Sequence, residues 1–213
     1  MRLSKLGHAC VRVRTDQGVL VIDPGAFTEP SALDGADALL ITHEHLDHFA
    51  PERILAAAAA NPALRIWTNA SVASQLSMLG ERVTSVAHGD AFTAVGLDVE
   101  VHGGLHAVIH PEIQRIANIG FLLDGRLFHP GDALTLPGRR VEVLMAPIYA
   151  PWSRVEEVID YVRAVGAPRT FAMHDAGLSE IGRAVVDGLL GDRGPGVRTD
   201  YSRLAPADVV EVS

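Results

Sequence analysis

Two rhythms of apolar and polar positions run along this chain, and the places where one gives way to the other predict its elements. Residues 10–15 alternate apolar with polar, Asp16, Gln17 and Gly18 supply turn chemistry, and 19–23 is an apolar run stopped by Pro24 and Gly25. That pattern predicts a hairpin at a sheet edge, followed by a short buried strand over 38–42. Pro51 then opens a helix that runs to Ala60, where Asn61 and Pro62 end it; its alanine stretch, 56–60, predicts a tightly packed helix. A strand over 65–68, a helix over 71–79 and a strand over 83–87 continue the alternation. Residues 92–101 read as strand broken at Gly96, 116–123 as strand, and Gly125 with Arg126 turns the chain into 127–129, a second hairpin. The last third predicts strand 141–145, helix 153–165, strand 170–173, helix 178–190 and a final strand near 209–210. Both halves run β-rich and then β/α, and no Pro/Gly/Ser-rich linker parts them. The expectation is one domain over residues 1–213, with two sheets covered by helices.

Composition narrows the function classes. The chain has 213 residues, 26 acidic against 18 basic side chains and a formal net charge of −8. Binding carried by phosphate contacts runs on clustered Lys and Arg, so a nucleic-acid partner is not expected. No apolar run approaches the length needed to span a bilayer, which predicts no membrane partner and a cytoplasmic location. One cysteine, Cys10, can make neither an internal bridge nor a cysteine-rich zinc site. Any metal site must therefore be built from nitrogen and oxygen.

Ten histidines supply the nitrogen. His43, His45, Asp47 and His48 form the pattern His-x-His-x-Asp-His directly after the predicted strand 38–42, so packing holds the loop that carries them. Three imidazoles and a carboxylate within six residues suit a borderline divalent cation such as Zn²⁺, with Mn²⁺ and Fe²⁺ accepted by the same donors. His106 after Gly103-Gly104, Asp132 in Pro130-Gly131-Asp132, and His174 with Asp175 each follow an apolar strand in a small-residue context. That many ligands are too many for one four-coordinate ion and suit two ions bridged by a carboxylate and a water. His110 is a rival to His106; the Gly-Gly pair, which permits close backbone approach, favours His106.

In order and spacing this set resembles the metallo-β-lactamase superfamily. Gly7-His8-Ala9-Cys10, Val21-Ile22-Asp23-Pro24, the segment from His106 to Pro111 and Ala150-Pro151-Trp152 are similar to its compact branch, which includes ascorbate 6-phosphate lactonase. The resemblance implies an α/β fold, a four-layer αββα sandwich of two mixed sheets flanked by helices. It also implies His43, His45 and His106 on one metal, Asp47, His48 and His174 on a second, and Asp132 bridging. Flavodiiron relatives carry Glu at the position of His45, which disfavours oxygen reduction. The implied activity is a dinuclear hydrolase cleaving a small ester, lactone or phosphodiester through a hydroxide held between the cations, with Asp47 and Asp132 catalytic. The two cations make a small anionic substrate compatible with the acidic chain. Alternatives are a metal-containing binding or sensor module of low turnover, and an RNase Z-like nuclease.

Several residues are candidates for the surroundings of the site. Asp23 and Asp175 are placed to fix a ligand imidazole's tautomer. His8, His110 and His129 are candidate pocket groups, and Tyr149 and Trp152, on either side of Pro151, are candidate pocket walls. Nothing in the sequence sets oligomeric state.

Overall fold

The continuous apolar runs are strands buried on both faces. In the computed structural model, which describes residues 1–191, 194–195 and 199–213, the first half of the chain supplies β1 (Arg2–Lys5), β2 (Val11–Thr15), β3 (Gly18–Ile22), β4 (Ala38–Ile41), β5 (Arg65–Thr68) and β6 (Val83–Ser85). The second half supplies β7 (Ala91–Ala94), β8 (Leu97–His102), β9 (Gly120–Leu123), β10 (Leu127–His129), β11 (Val143–Pro147), β12 (Arg169–Met173), β13 (Asp200–Ser202) and β14 (Val210–Glu211). They form two sheets, ordered β14-β1-β2-β3-β4-β5-β6 and β13-β12-β11-β10-β9-β8-β7. Each is mixed. In the first, β14, β1, β2 and β3 pair antiparallel and β3 through β6 parallel. The second repeats the plan, antiparallel from β7 to β10 and parallel from β10 to β13.

Side-chain alternation divides each strand between two cores. Leu20, Ile22 and Leu40 face the other sheet and pack with Val99, Val101, Phe121 and Met145. Val19, Val21, Leu39 and Ile41 face outward, where α1 (Pro51–Ala60) and α2 (Ala70–Gln75) cover them with Ile54, Ala58 and Val72. On the far side α3 (Val155–Val165) and α4 (Glu180–Leu190) lay Val158, Val162, Val186 and Leu190 over Leu144, Ala146 and Ala172. The result is the expected αββα sandwich. Among the described residues no helix is long and apolar enough to cross a membrane.

The differences from expectation have local causes. The β2–β3 hairpin lies inside its sheet, because β1 and β14 extend it. The alanine stretch is helical but not tightly packed: Ala58 is buried while Ala56, Ala59 and Ala60 face solvent. The helix begun by the Asn69 cap, whose carboxamide oxygen accepts from Ser71 N–H and Val72 N–H, ends at Gln75 and continues as a 3-10 turn, Ser77–Arg82, in which Gly80 takes a positive φ of 58°. Residues 116–119 do not extend β9, since their backbone is engaged by the loop carrying His106: His106 N–H donates to Ile116 O and Asn118 N–H to Gly104 O.

Candidate metal centre

The loops after β3, β4, β8, β10, β11 and β12 converge where the two sheets meet. With the loop after β1, which carries His8, they bring together two groups of possible ligand atoms, each group within 4.8 Å: His43, His45, His106 and Asp132 in one, His8, Asp47, His48 and His174 in the other, while the loops after β3 and β11 supply the groups that orient His48 and His174. Asp132 joins them. Its Oδ1 lies 3.1 Å from His48 Nε2, and its Oδ2 lies 3.4 Å from His106 Nε2 and 3.0 Å from His174 Nε2. The loop before it needs glycine: Gly131 has φ +63°, and a Cβ there would stand 2.3 Å from Asn118 Oδ1, the atom that accepts Asp132 N–H. Gly25 likewise lets its loop close on the motif, since a Cβ would stand 2.0 Å from Asp47 O.

Hydrogen bonds on the outer nitrogens decide which atom of each ring is available. Carbonyl oxygens only accept, so His106 Nδ1–H donates to Ala107 O (2.7 Å) and His174 Nδ1–H to Tyr149 O (2.5 Å). Asp23 holds the other two. It accepts from Thr42 N–H, from Thr42 Oγ1–H and from His48 Nδ1–H, each at 2.7 Å. With its proton given to Asp23, Thr42 Oγ1 can only accept from His43 Nδ1–H, 2.9 Å away. Each Nε2 of His43, His48, His106 and His174 therefore carries a lone pair, and each is buried with no hydrogen-bond partner, as is Asp132 Oδ1. Lone pairs 3.0–3.4 Å from carboxylate oxygens repel unless positive charge lies among them. Five orphaned buried acceptors facing one another fit divalent cations.

The electrostatics agree. Burial would lower the pKa of His48, but the Asp132 and Asp23 carboxylates outweigh it and hold the ring well above its usual range; His174, buried but 3.0 and 3.2 Å from the carboxylate oxygens of Asp132 and Asp47, is pushed up to about 9. Without a cation, these carboxylates draw protons onto the two rings. Burial takes His43 well below the imidazole range and His45 below it in lesser degree. His174 and Asp23 also adopt φ of 61° and 50°, a left-handed backbone that non-glycine residues rarely take and that clusters at functional sites.

His8 differs. Ala176 N–H donates to its Nδ1 at 3.1 Å, which puts the proton of a neutral ring on Nε2, 3.1 Å from Asp47 Oδ2. Burial lowers its pKa and keeps it neutral. Its ring is therefore a hydrogen-bond donor to Asp47, with no lone pair on the inward side.

The other candidates separate. Trp152 Nε1–H donates to Asp132 Oδ2 at 3.1 Å. His129 stands behind the site: its Nε2 donates to Ala9 O and its Nδ1 accepts from Gly131 N–H, which steadies the Asp132 loop. His110 is exposed, with Nδ1 accepting from Glu112 N–H, outside both groups. Gly103, with φ +79°, is what the turn before His106 requires; Gly104 has open space around it, so close approach is not its reason. Asp175 does not touch a ligand imidazole. It pairs with Lys5 Nζ at 2.9 Å and with Arg203, which also reaches Asp187. Lys5 is 4% exposed, and this buried pair ties β1 to the loop that carries His174. Nothing local announced it, because the partners are 170 residues apart.

A model of the Beta-lactamase superfamily domain matches residues 2–174. The chain belongs to the beta-lactamase superfamily. It is 39% identical over 196 residues to Protein Rv0786c of Mycobacterium tuberculosis, covering 89% of this chain and 91% of that one. It is 28% identical to a UPF0173 metal-dependent hydrolase of Methanosphaerula palustris, over 82% and 83% of the two chains. Among solved structures, Igni18, a metallo hydrolase from the archaeon Ignicoccus hospitalis, superposes with a TM-score of 0.74 at 17% identity over 98% and 97% of the chains, a likeness of fold.

Proposed function

We propose that this chain is a dinuclear metal-dependent hydrolase of a small ester, lactone or phosphodiester. The observation that carries the reading is the set of four buried Nε2 lone pairs and one carboxylate oxygen that have no partner but one another. His43, His45 and His106 would hold one cation, Asp47, His48 and His174 the other, with Asp132 between them. Zn²⁺ is the ion this donor set favours, and Mn²⁺ or Fe²⁺ suit the same atoms. When bound, such cations supply Lewis acidity and bring the pKa of coordinated water from 15.7 towards about 7.

The chain's own groups divide the remaining work. Asp132, almost fully buried, is held by Trp152 Nε1–H and by its backbone bond to Asn118. Asp47 is the more open carboxylate, with a side chain 22% exposed. Burial would raise its pKa, but the imidazoles of His174 and His8 set against it outweigh that and keep it ionised. It is placed to take a proton from the attacking water and return it to the leaving oxygen. For an ester or lactone, water oxygen bonds to the carbonyl carbon and the carbon–oxygen bond breaks, an ester giving acid and alcohol and a lactone a single hydroxy acid. For a phosphodiester, the bond broken is phosphorus–oxygen. His8 Nε2–H keeps Asp47 turned to this task.

The test is metal analysis of the purified protein with turnover of model esters, lactones and bis(p-nitrophenyl) phosphate. Two equivalents of divalent metal and hydrolysis that falls at least 100-fold in His45→Ala are expected. A protein that takes up no metal, or a variant as active as the parent, would overturn the reading.

A further inference from the structure

The exposed apolar side chains of this protein are not scattered. Of the thirteen large ones exposed among the described residues, five stand on the loops that carry the candidate ligands His45 and His106, and two more, Phe27 and Tyr149, lie against His8 and His174 from neighbouring loops. Leu46, 64% exposed, sits between His45 and Asp47. Leu105 immediately precedes His106, and Val108 and Ile109 follow it. Tyr149, whose carbonyl orients His174, leaves its ring in solvent. Phe27 packs edge-on against His8, with ring centroids 5.6 Å apart.

The segment 103–118 makes the pattern sharper. Its base is pinned to the site by Ala107 N–H on Asp132 O and by the Leu105–Ala117 bridge. Residues 108–115 are all exposed, and this tip carries Val108, Ile109 and Ile113, with Glu112 and Arg115 offsetting each other in charge. Apolar surface in water costs free energy, and exposed apolar side chains gathered on loops around one site mark a surface meant to be covered. Here these side chains adjoin the ligands along the chain, Leu46 between His45 and Asp47 and Leu105 beside His106, whose ring lies 6.1 Å from that of Trp152. A site for a separate protein partner has no need of that adjacency. A substrate whose reacting bond sits at the ligands and whose arm lies on their rim does.

We propose that the substrate carries an apolar arm, an alkyl or acyl chain of several carbons, next to the bond that is cleaved, and that Leu46, Leu105, Val108, Ile109 and Phe27 receive it. This rests on the hydrolase reading above and names its substrate class.

The experiment compares p-nitrophenyl esters from acetate to octanoate, below their micelle concentrations, with calorimetric binding of the matching alkylphosphonates to metal-loaded and metal-free protein. A methylene buried on the rim strengthens binding by about two- to fourfold. From acetate to octanoate, kcat/KM is therefore expected to rise at least tenfold, mainly through KM. Phosphonate affinity should rise with chain length in both forms of the protein, because the rim does not depend on the cations. Ile109→Ser and Leu46→Ser should flatten both series while metal content stays at two equivalents, and Met78→Ser, exposed away from the ligand loops, should leave them unchanged. Hydrolysis of all esters at one rate, with flat phosphonate binding, overturns the apolar arm and leaves the hydrolase reading standing. No hydrolysis of any ester, lactone or phosphodiester by the metal-loaded protein overturns that reading instead. Flat series combined with Ile109-dependent sedimentation on phosphatidylcholine vesicles, or with Ile109-dependent dimerisation, assign the patch to a membrane or a second copy and also refute the substrate arm.

Discussion

Replacing Asp23 by Asn changes one atom and should disturb both halves of the centre. Asp23 is fully buried and accepts three hydrogen bonds, two from Thr42 and one from His48 Nδ1–H. In Asp23→Asn the carboxamide oxygen can still accept Thr42 N–H, but an NH₂ group then stands where Oδ2 received two protons. The opposite flip sets NH₂ against Thr42 N–H. In the first orientation His48 escapes by accepting on Nδ1 and carrying its proton on Nε2. Thr42 escapes by turning its hydroxyl towards His43 Nδ1, which moves that ring's proton to Nε2 as well. One lone pair in each group is then covered. A hydrogen bond to a charged group contributes about 1.5–3 kcal/mol, and partners that orient a ligand typically govern about 10–100-fold in metal affinity. Competition titration of Zn²⁺ against a chelator should therefore show both sites weakened by about 10–100-fold, with the fold retained by circular dichroism. Nitrogen-15 spectra of the imidazoles should show His43 and His48 protonated at Nε2. Affinities within threefold of the parent, or unprotonated Nε2 atoms in the variant, would refute the tautomer argument.

Four further outcomes follow from the same geometry. His8→Gln, whose amide N–H can still donate to Asp47, should keep both metals and most activity, whereas His8→Ala should lose about tenfold in kcat at unchanged metal content; loss of one metal equivalent in both would make His8 a ligand. His174, raised to about 9 in metal-free protein, stabilises that form fully below its unfolded value near 6.5, and the contribution is lost as pH rises through 9. The melting temperature of metal-free protein should thus fall between pH 7 and 9, and His174→Asn should reduce that slope, His48 supplying the remainder. Gly131→Ala adds a Cβ against Asn118 Oδ1 and should lower the melting temperature and weaken metal binding together, read by thermal denaturation and chelator titration. Burial pushes the Cys10 thiol up to about 12, so thiol reagents at pH 8 should label it only on unfolding, checked by mass spectrometry with and without denaturant.

Much of this arrangement is legible in the chain because its cause is local. A buried strand followed by His-x-His-x-Asp-His needs only adjacent residues, and the parallel strands β3 and β4 announce themselves as apolar runs. What stayed hidden depends on distant partners. β1 reads as Arg-Leu-Ser-Lys, too polar to declare itself, and becomes a strand because β2 and β14 pair with it. His8 becomes a donor to Asp47 only because Ala176, 168 residues away, reaches its other nitrogen. The same holds for Asp175: its place beside His174 suggests a tie to that ring, whereas the fold turns it to Lys5 and Arg203. Asp23 was legible as a candidate, but its hold on His43 passes through the Thr42 hydroxyl, a relay that adjacency in sequence does not reveal.

Lys5 is also the only lysine in the chain. With its amine sealed against Asp175, the folded protein offers acylating reagents no lysine on its surface. Activated esters and strained lactones, which modify lysines on most proteins, leave this side chain alone while the structure is closed. Acylation of Lys5 then becomes a clock for the opening of the loop that holds His174, readable in the native protein without any engineered label.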